Sequence, residues 1–211
     1  MLEAVLFDLD GTLADTAPDL AAALNHVLQS ENRDPLPFEE IRPWVSHGAK
    51  YMICKGFKEK PLHIDELWSQ LVDFYQHNIA THTRLFEGMD QILRTLEKRQ
   101  LKWGIVTNKP AFLTDPLVQA LDLDCKCVIS GDTLAVKKPD PAPLLYACQQ
   151  LAVDPANVWY VGDAERDIEA GRRAGMRTAA ALFGYLDAQD RPETWGADIL
   201  LSQPIDLFKL F

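Results

Sequence analysis

Val5-Leu6-Phe7-Asp8-Leu9-Asp10-Gly11-Thr12 is a short apolar run that ends in two carboxylates, a glycine and a threonine. Such a run predicts a strand buried on both faces, as in a parallel sheet. In open α/β sheets, ligands sit at the carboxyl ends of the strands, and Asp8 and Asp10 stand there. Alternate residues of extended chain point the same way, so both carboxylates can face one pocket. Gly11 permits the sharp turn that follows. Asp10-Gly11 alone is equally the composition of an ordinary acidic turn, so the reading depends on partners elsewhere in the chain.

Those partners belong to a chain of 211 residues, 47% hydrophobic and 25% charged. That is enough for one sizeable core with a small second domain. The net charge is -10, and no dense Lys/Arg run offers the basic face of a nucleic-acid binder. No stretch of about 18 apolar residues predicts a membrane span. The chain enters a strand at once, with Glu3 where a secretory signal has its basic region, so a cytoplasmic protein is expected. Cys125-Lys126-Cys127 has no second Cys/His pair at zinc-finger spacing. Cys54, Cys125, Cys127 and Cys148 are therefore read as reduced thiols in or near the core.

Downstream of the opening strand, the spacing of Leu20, Leu24, Val27 and Leu28 predicts a helix over 15–29, capped by Asp15 or Thr16. Shorter helices are expected over 38–45 and 49–57, separated by Ser46-His47-Gly48, and a longer one over 64–79. From about residue 84 the pattern alternates. Helices are predicted over 89–98, 115–121, 140–151 and 165–174, and strands over 103–107, 127–130, 158–161, 178–182 and 199–201. Asp140 and Pro141 suit a helix start, and Gly175 a helix end. The fold class is thus α/β, a doubly wound Rossmann-like parallel sheet with an inserted all-α cap. Residues 1–14 and 84–211 form the core, and 15–83 the cap.

Three more strand ends carry polar groups. Thr107-Asn108 offers a hydroxyl and backbone N–H donors suited to phosphate oxygens. Lys137-Lys138-Pro139-Asp140-Pro141 can aim a lysine from a rigid turn; Lys138 leads into the helix, and Lys137 can equally be a solvated neighbour. Gly162-Asp163 and Asp167 place two acids on one face of a starting helix, where each also complements the helix dipole. In a doubly wound sheet these ends converge. Carboxylates packed together repel, and burying them unpaired is costly. A hard divalent cation resolves that conflict, and Mg²⁺ favours a few carboxylates plus water and phosphate. An anion site beside a cation site is the pattern of phosphoryl transfer.

Asp8-Leu9-Asp10-Gly11-Thr12-Leu13, Thr107-Asn108, Lys138-Pro139-Asp140-Pro141 and Gly162-Asp163-x-x-x-Asp167 resemble, in this order, the four motifs of the haloacid-dehalogenase-like phosphatases. The resemblance implies Asp8 as nucleophile and Asp10 as acid/base. It implies Lys138, Thr107 and Asn108 as phosphate-holding groups, with Lys138 also catalytic. Mg²⁺ would be held by Asp8, Asp163, Asp167 and the backbone carbonyl of Asp10. It also implies a helical cap that closes over the site, where Ser46, His47, Gly48 and Lys50 form the loop expected to face the substrate.

Within that family, Leu85–Met89, Trp103–Pro110, Gly184-Tyr185 and Trp195–Asp198 resemble the N-acetylmuramic acid 6-phosphate phosphatases of cell-wall recycling, with the phosphoglycolate phosphatases next. A small phosphate ester is the expected substrate, and a monomer or homodimer the expected assembly. A phosphomutase shares the core but depends on a bisphosphate. A phosphonate hydrolase needs an imine-forming cap lysine, for which Lys50 or Lys55 stands open. A receiver domain uses Asp, Thr and Lys around Mg²⁺, but its phosphorylated Asp lies on a later strand and it has no cap.

Overall fold

Ala4–Phe7 is a strand, β1, with every residue buried. In the computed structural model, which describes residues 1–211, it lies at the centre of a six-stranded sheet. The elements follow as β1, β2 (Ala14–Asp15), α1 (Ala17–Ser30), α2 (Phe38–Ile41), a 3-10 segment Arg42–His47, α3 (Ala49–Phe57), α4 (Ile64–His77) and β3 (Arg84–Leu85). Then come α5 (Met89–Lys98), β4 (Lys102–Val106), α6 (Ala111–Ala120), β5 (Val128–Ile129), α7 (Ala142–Leu151), β6 (Val158–Gly162), α8 (Glu165–Arg173), β7 (Arg177–Ala181) and β8 (Ile199–Leu201).

The sheet order is β5-β4-β1-β6-β7-β8, and every pairing is parallel. The chain builds outward from β1 on one side and then crosses to the other, so β1 marks the switch point at which doubly wound sheets bind ligands. Phe7 is level with Ile105 on β4 and with Val161 on β6. The residues just past these three are Asp8, Val106 and Gly162.

Strand alternation sorts the core. Val5 and Phe7 join Ile105, Val161 and helix α5 on one face of the sheet. Ala4 and Leu6 join Val106, Tyr160 and helices α7 and α8 on the other. Both faces are covered, which explains why the strands read as continuous apolar runs rather than alternating ones. The helices between β2 and β3 bury a separate cluster that includes Leu24, Met52, Ile53, Leu67, Leu71 and Tyr75. Leu113 and Tyr185 reach into it from the sheet-bearing part.

Several boundaries differ from the sequence reading for local reasons. Helix α1 begins at Ala17, and neither Asp15 nor Thr16 caps it with its side chain. Instead, the N–H groups of Thr16 and Ala17 donate to the Tyr185 hydroxyl at 2.6 and 2.9 Å. The expected helix over 38–45 becomes α2 plus the 3-10 segment, because Pro43 has no N–H to continue an α-helical ladder. Helix α6 starts at Ala111, four residues before the predicted start, and carries Pro116 inside it; the Ala111 N–H donates to Asp132 Oδ1 at 2.8 Å. The β2–β3 pair was not predicted, being too short to show periodicity. It joins the two connections that lead into and out of the helical block. Asp19 locks the same junction, accepting from the N–H groups of His82 and Thr83 and from the Thr83 hydroxyl. The four cysteines are free thiols; Cys127 and Cys148 are buried, and Cys54 and Cys125 half-buried.

Candidate active site

Asp8 is the first residue past β1, and its side chain is 4% exposed. Lys138 Nζ donates to Asp8 Oδ1 at 2.8 Å, to the Val106 carbonyl at 2.8 Å and to the Tyr160 hydroxyl at 2.6 Å. It also lies 2.8 Å from Asp167 Oδ1. The lysine is aimed from its backbone. Its N–H donates to Asn108 Oδ1, and its carbonyl accepts from Asn108 Nδ2, both at 3.0 Å. The side chain of Asn108 therefore fixes Lys138. Thr107 is buried just past β4, and its hydroxyl accepts from the Lys109 N–H at 3.2 Å.

Asp163 is the first residue past β6, and Asp167 lies in the first turn of α8. Carboxylate oxygens of Asp8, Asp163 and Asp167 lie within 4.8 Å of one another, all buried. Asp163 Oδ2 accepts from the Tyr185 N–H at 2.9 Å and from Ser46 Oγ at 2.8 Å. Asp167 Oδ2 accepts from the Ala164 N–H at 3.1 Å. Asp163 Oδ1 has no hydrogen-bond donor in the protein, whereas Asp167 Oδ1 is ion-paired with Lys138. Burial pushes the Asp163 carboxyl up to about 7, helped by the charges of Asp8 and Asp167. Burial likewise raises Asp8, against the pull of Lys138. Three hard oxygen donors that repel one another, with Asp163 Oδ1 unpaired, suit a divalent cation.

The turn after β1 is built to touch this cluster. Gly11 has φ +82°, and a Cβ there would collide with the Asp163 carboxylate. A Cβ on Gly184 would meet Asp163 and the Gly11 carbonyl.

Asp10 lies outside the acidic trio. Its Oδ1 accepts from Thr16 Oγ1 at 2.6 Å and from Lys109 Nζ at 2.9 Å. Asp8 and Asp10 both line a cavity of about 420 Å³ between the sheet edge and the helical block. Thr107, Asn108, Ser46, His47, Gly48 and Lys50 line it too, while Asp163, Asp167 and Lys138 are buried behind Asp8. Lys137 is exposed, as a solvated neighbour of Lys138 would be, and lies at the cavity wall. The upper wall is apolar through Val45, Met52, Trp68 and Val72. Lys50 pairs with Asp65 at 2.5 Å and lies 5.7 Å from the Trp68 ring centre.

Three side chains at the candidate site, Arg166, Lys109 and Tyr160, are not among the residues the sequence singles out. Arg166 lines the cavity, and burial would lower its pKa, but Asp167, Asp8 and Asp163 hold it up. A cation lodged between Asp163 and Asp167 was the readable signal for it. Lys109, next to Thr107-Asn108, had a similar signal. Tyr160 has none, since its contact with Lys138 is distant in sequence; Tyr185, which can line the rim or pack in the core, is buried in the core.

A family model described as haloacid dehalogenase-like hydrolase matches residues 5–181. An N-acetylmuramic acid 6-phosphate phosphatase of Pseudomonas putida is 43% identical, over 99% of this chain and 96% of that one. A phosphoglycolate phosphatase of Xylella fastidiosa is 42% identical, over 95% and 89%. Among solved structures, a predicted phosphoglycolate phosphatase from Haemophilus somnus superposes with a TM-score of 0.87 at 26% identity, covering 99% of this chain and 97% of that one. No helix of the chain is long and apolar enough to cross a membrane.

Proposed function

The chain belongs to the haloacid dehalogenase-like hydrolases, and from that membership and the geometry of its site we propose that it hydrolyses a small phosphate monoester through an aspartyl-phosphate on Asp8. The observation that carries this reading is the buried trio Asp8, Asp163 and Asp167 set against Lys138, of which Asp8 reaches a cavity that Asp10 also lines. A carboxylate held this way has a cation on one side for the phosphoryl oxygens and room for a metal on the other.

Asp8 attacks phosphorus in line, and the P–O bond to the leaving alcohol breaks. Asp10 gives that alcohol its proton, then takes one from the water that cleaves the aspartyl-phosphate. Lys138, Thr107 and the backbone of Asn108 hold the oxygens of the transferring group. Asp8, Asp163, Asp167 and the backbone carbonyl of Asp10 would hold Mg²⁺, which when bound screens the nucleophile from the phosphate and takes up developing charge. Residues 15–83 act as the cap. They keep bulk water out and choose the leaving group with Ser46, His47, Gly48 and Lys50.

The substrate we assign is N-acetylmuramic acid 6-phosphate. The name of the Pseudomonas putida relative supports it. So does a cavity of about 420 Å³ with an apolar wall and cations at Lys50 and Lys137, which suits a sugar bearing a carboxylate better than a two-carbon acid. Phosphoglycolate is the second reading, on the strength of the Xylella fastidiosa relative.

Phosphate release from both esters with Mg²⁺, with Asp8→Asn as the blank, tests this. We expect at least about a hundredfold preference in kcat/KM for the muramate ester, equivalent to about 2.7 kcal/mol of transition-state discrimination, and no turnover by Asp8→Asn. A preference for phosphoglycolate replaces the substrate and leaves the chemistry intact. Turnover that survives Asp8→Asn overturns the mechanism.

A further inference from the structure

We propose that Lys109 is a positioning residue for Asp10, tethering one carboxylate oxygen so that proton exchange with the substrate passes through the other, and that Tyr75 of helix α4 holds the lysine in place. The inference rests on the acid/base reading of Asp10.

The Lys109 side chain is 6% exposed. Its ammonium donates to Asp10 Oδ1 at 2.9 Å and to the Tyr75 hydroxyl at 3.1 Å, and lies 4.5 Å from the centre of the Tyr75 ring. Thr16 Oγ1 donates to the same Asp10 oxygen at 2.6 Å. Oδ1 is thus held from two sides, whereas Oδ2 makes no hydrogen bond within the protein, and Asp10 faces the cavity. A carboxyl group anchored through one oxygen cannot freely exchange its two oxygens by rotation. The atom that carries the proton is therefore fixed in place, and a proton donor works only within hydrogen-bond reach of its target.

A lysine this deep needs a carboxylate partner to stay charged, and Asp10 is the one it pairs with. Its bonds run to Asp10 and Tyr75 rather than to Asp8, which separates it from Lys138. Tyr75 is fully buried among the helices between β2 and β3. The orientation of the acid/base therefore depends on α4 being seated against the end of β4. Proton transfer is efficient only when the helical block is in place.

The test compares wild type, Lys109→Met, Tyr75→Phe and Asp10→Asn with Mg²⁺ on three probes. Two are alkyl esters, N-acetylmuramic acid 6-phosphate and 2-phosphoglycolate, and the third is the aryl ester p-nitrophenyl phosphate. A nitrophenolate leaves without a proton, whereas an alkoxide does not. For Lys109→Met we expect kcat on the alkyl esters to fall at least about tenfold, with KM within about threefold of wild type. On the aryl ester the same variant gives a burst of about one nitrophenolate per enzyme, because activation of water at Asp10 then limits turnover.

Tyr75→Phe removes only a hydroxyl and tests the same point without unpairing a buried charge; its kcat on the alkyl esters falls less, in the same sense. A rise in KM with kcat unchanged makes Lys109 a substrate-binding cation and overturns the proposal, as does an unimpaired Lys109→Met beside an inactive Asp10→Asn. An unaffected Tyr75→Phe removes the dependence on α4. Full activity of Asp10→Asn on the alkyl esters removes the acid/base reading itself.

Discussion

Asp163 joins three parts of the chain at one carboxylate: the end of β6, the Ser46 hydroxyl from the helical block and the Tyr185 N–H from the segment after β7. Burial, then Asp8 and Asp167, push its pKa from 3.8 up to about 7 in the metal-free protein. The sign of the consequence follows from linkage. Unfolded chains lose this proton near 3.8 and folded ones near 7, so the folded state binds more protons between those values and stability falls as pH rises through the window. A divalent cation takes the place of the proton, so its binding strengthens over the same window and its stabilising effect grows with it. Thermal unfolding in chelator should show Tm falling from about pH 5 to about pH 8, with Mg²⁺ raising Tm more at the upper end. Asp163→Asn should flatten the metal-free profile. A metal-free Tm that ignores pH over that range would contradict the electrostatic account of the trio.

At the scale of elements, the start of α1 shows how a helix can be capped from across the fold. The Tyr185 hydroxyl accepts the N–H groups of Thr16 and Ala17 and donates to Asp15 Oδ1 at 2.8 Å. Helix N-termini leave donors that need such partners. Tyr185→Phe keeps the ring and strands those buried groups, at a cost of about 1–3 kcal/mol, to be read as a lower urea midpoint with an unchanged slope. An unaltered midpoint would show that water replaces the hydroxyl at no cost. The same helix marks where the sequence could and could not be read. Leu20, Leu24, Val27 and Leu28 announced it through their spacing, and all four are buried. Its cap was invisible, because the contact spans 169 residues. Lys138, Asp163 and Asp167 were readable as candidates because each stands in a short local motif: Lys138 in the turn before α7, Asp163 just past β6 and Asp167 in the first turn of α8. The pairing of Lys109 with Asp10 was not, since it joins two loops 99 residues apart. Strand pattern reports what a residue buries; it does not report which distant side chain meets it.

At the scale of the molecule, a chain of net charge -10 concentrates cations where an anionic ester would bind: Lys50, Lys109, Lys137 and Arg166 all line the cavity. The helical block closes that cavity through few polar contacts. Arg42 donates to the carbonyls of Gly184 and Phe183 at 2.9 and 3.3 Å, and its guanidinium carbon lies 4.9 Å from the Tyr185 ring centre. His47 lies 3.8 Å from Asp187, and Ser46 reaches Asp163. The 3-10 segment Arg42–His47 thus carries three of the contacts between block and core, through Arg42, Ser46 and His47. Two hydrogen bonds and a ring contact together contribute about 2 kcal/mol, a shift of roughly thirtyfold in the ratio of closed to open forms. If closure is what substrate binds to, Arg42→Ala lowers the competent fraction, and the apparent affinity falls in proportion. Saturating substrate restores closure, so kcat stays near wild type while KM rises about tenfold or more. Hydrogen exchange should report the same event as faster exchange in Arg42–Tyr51, without change in β1 or β6. A variant whose kcat falls while KM stands still would mean that Arg42 acts in the chemical step, and that the block is held shut by its apolar contacts with Leu113 and Tyr185 instead.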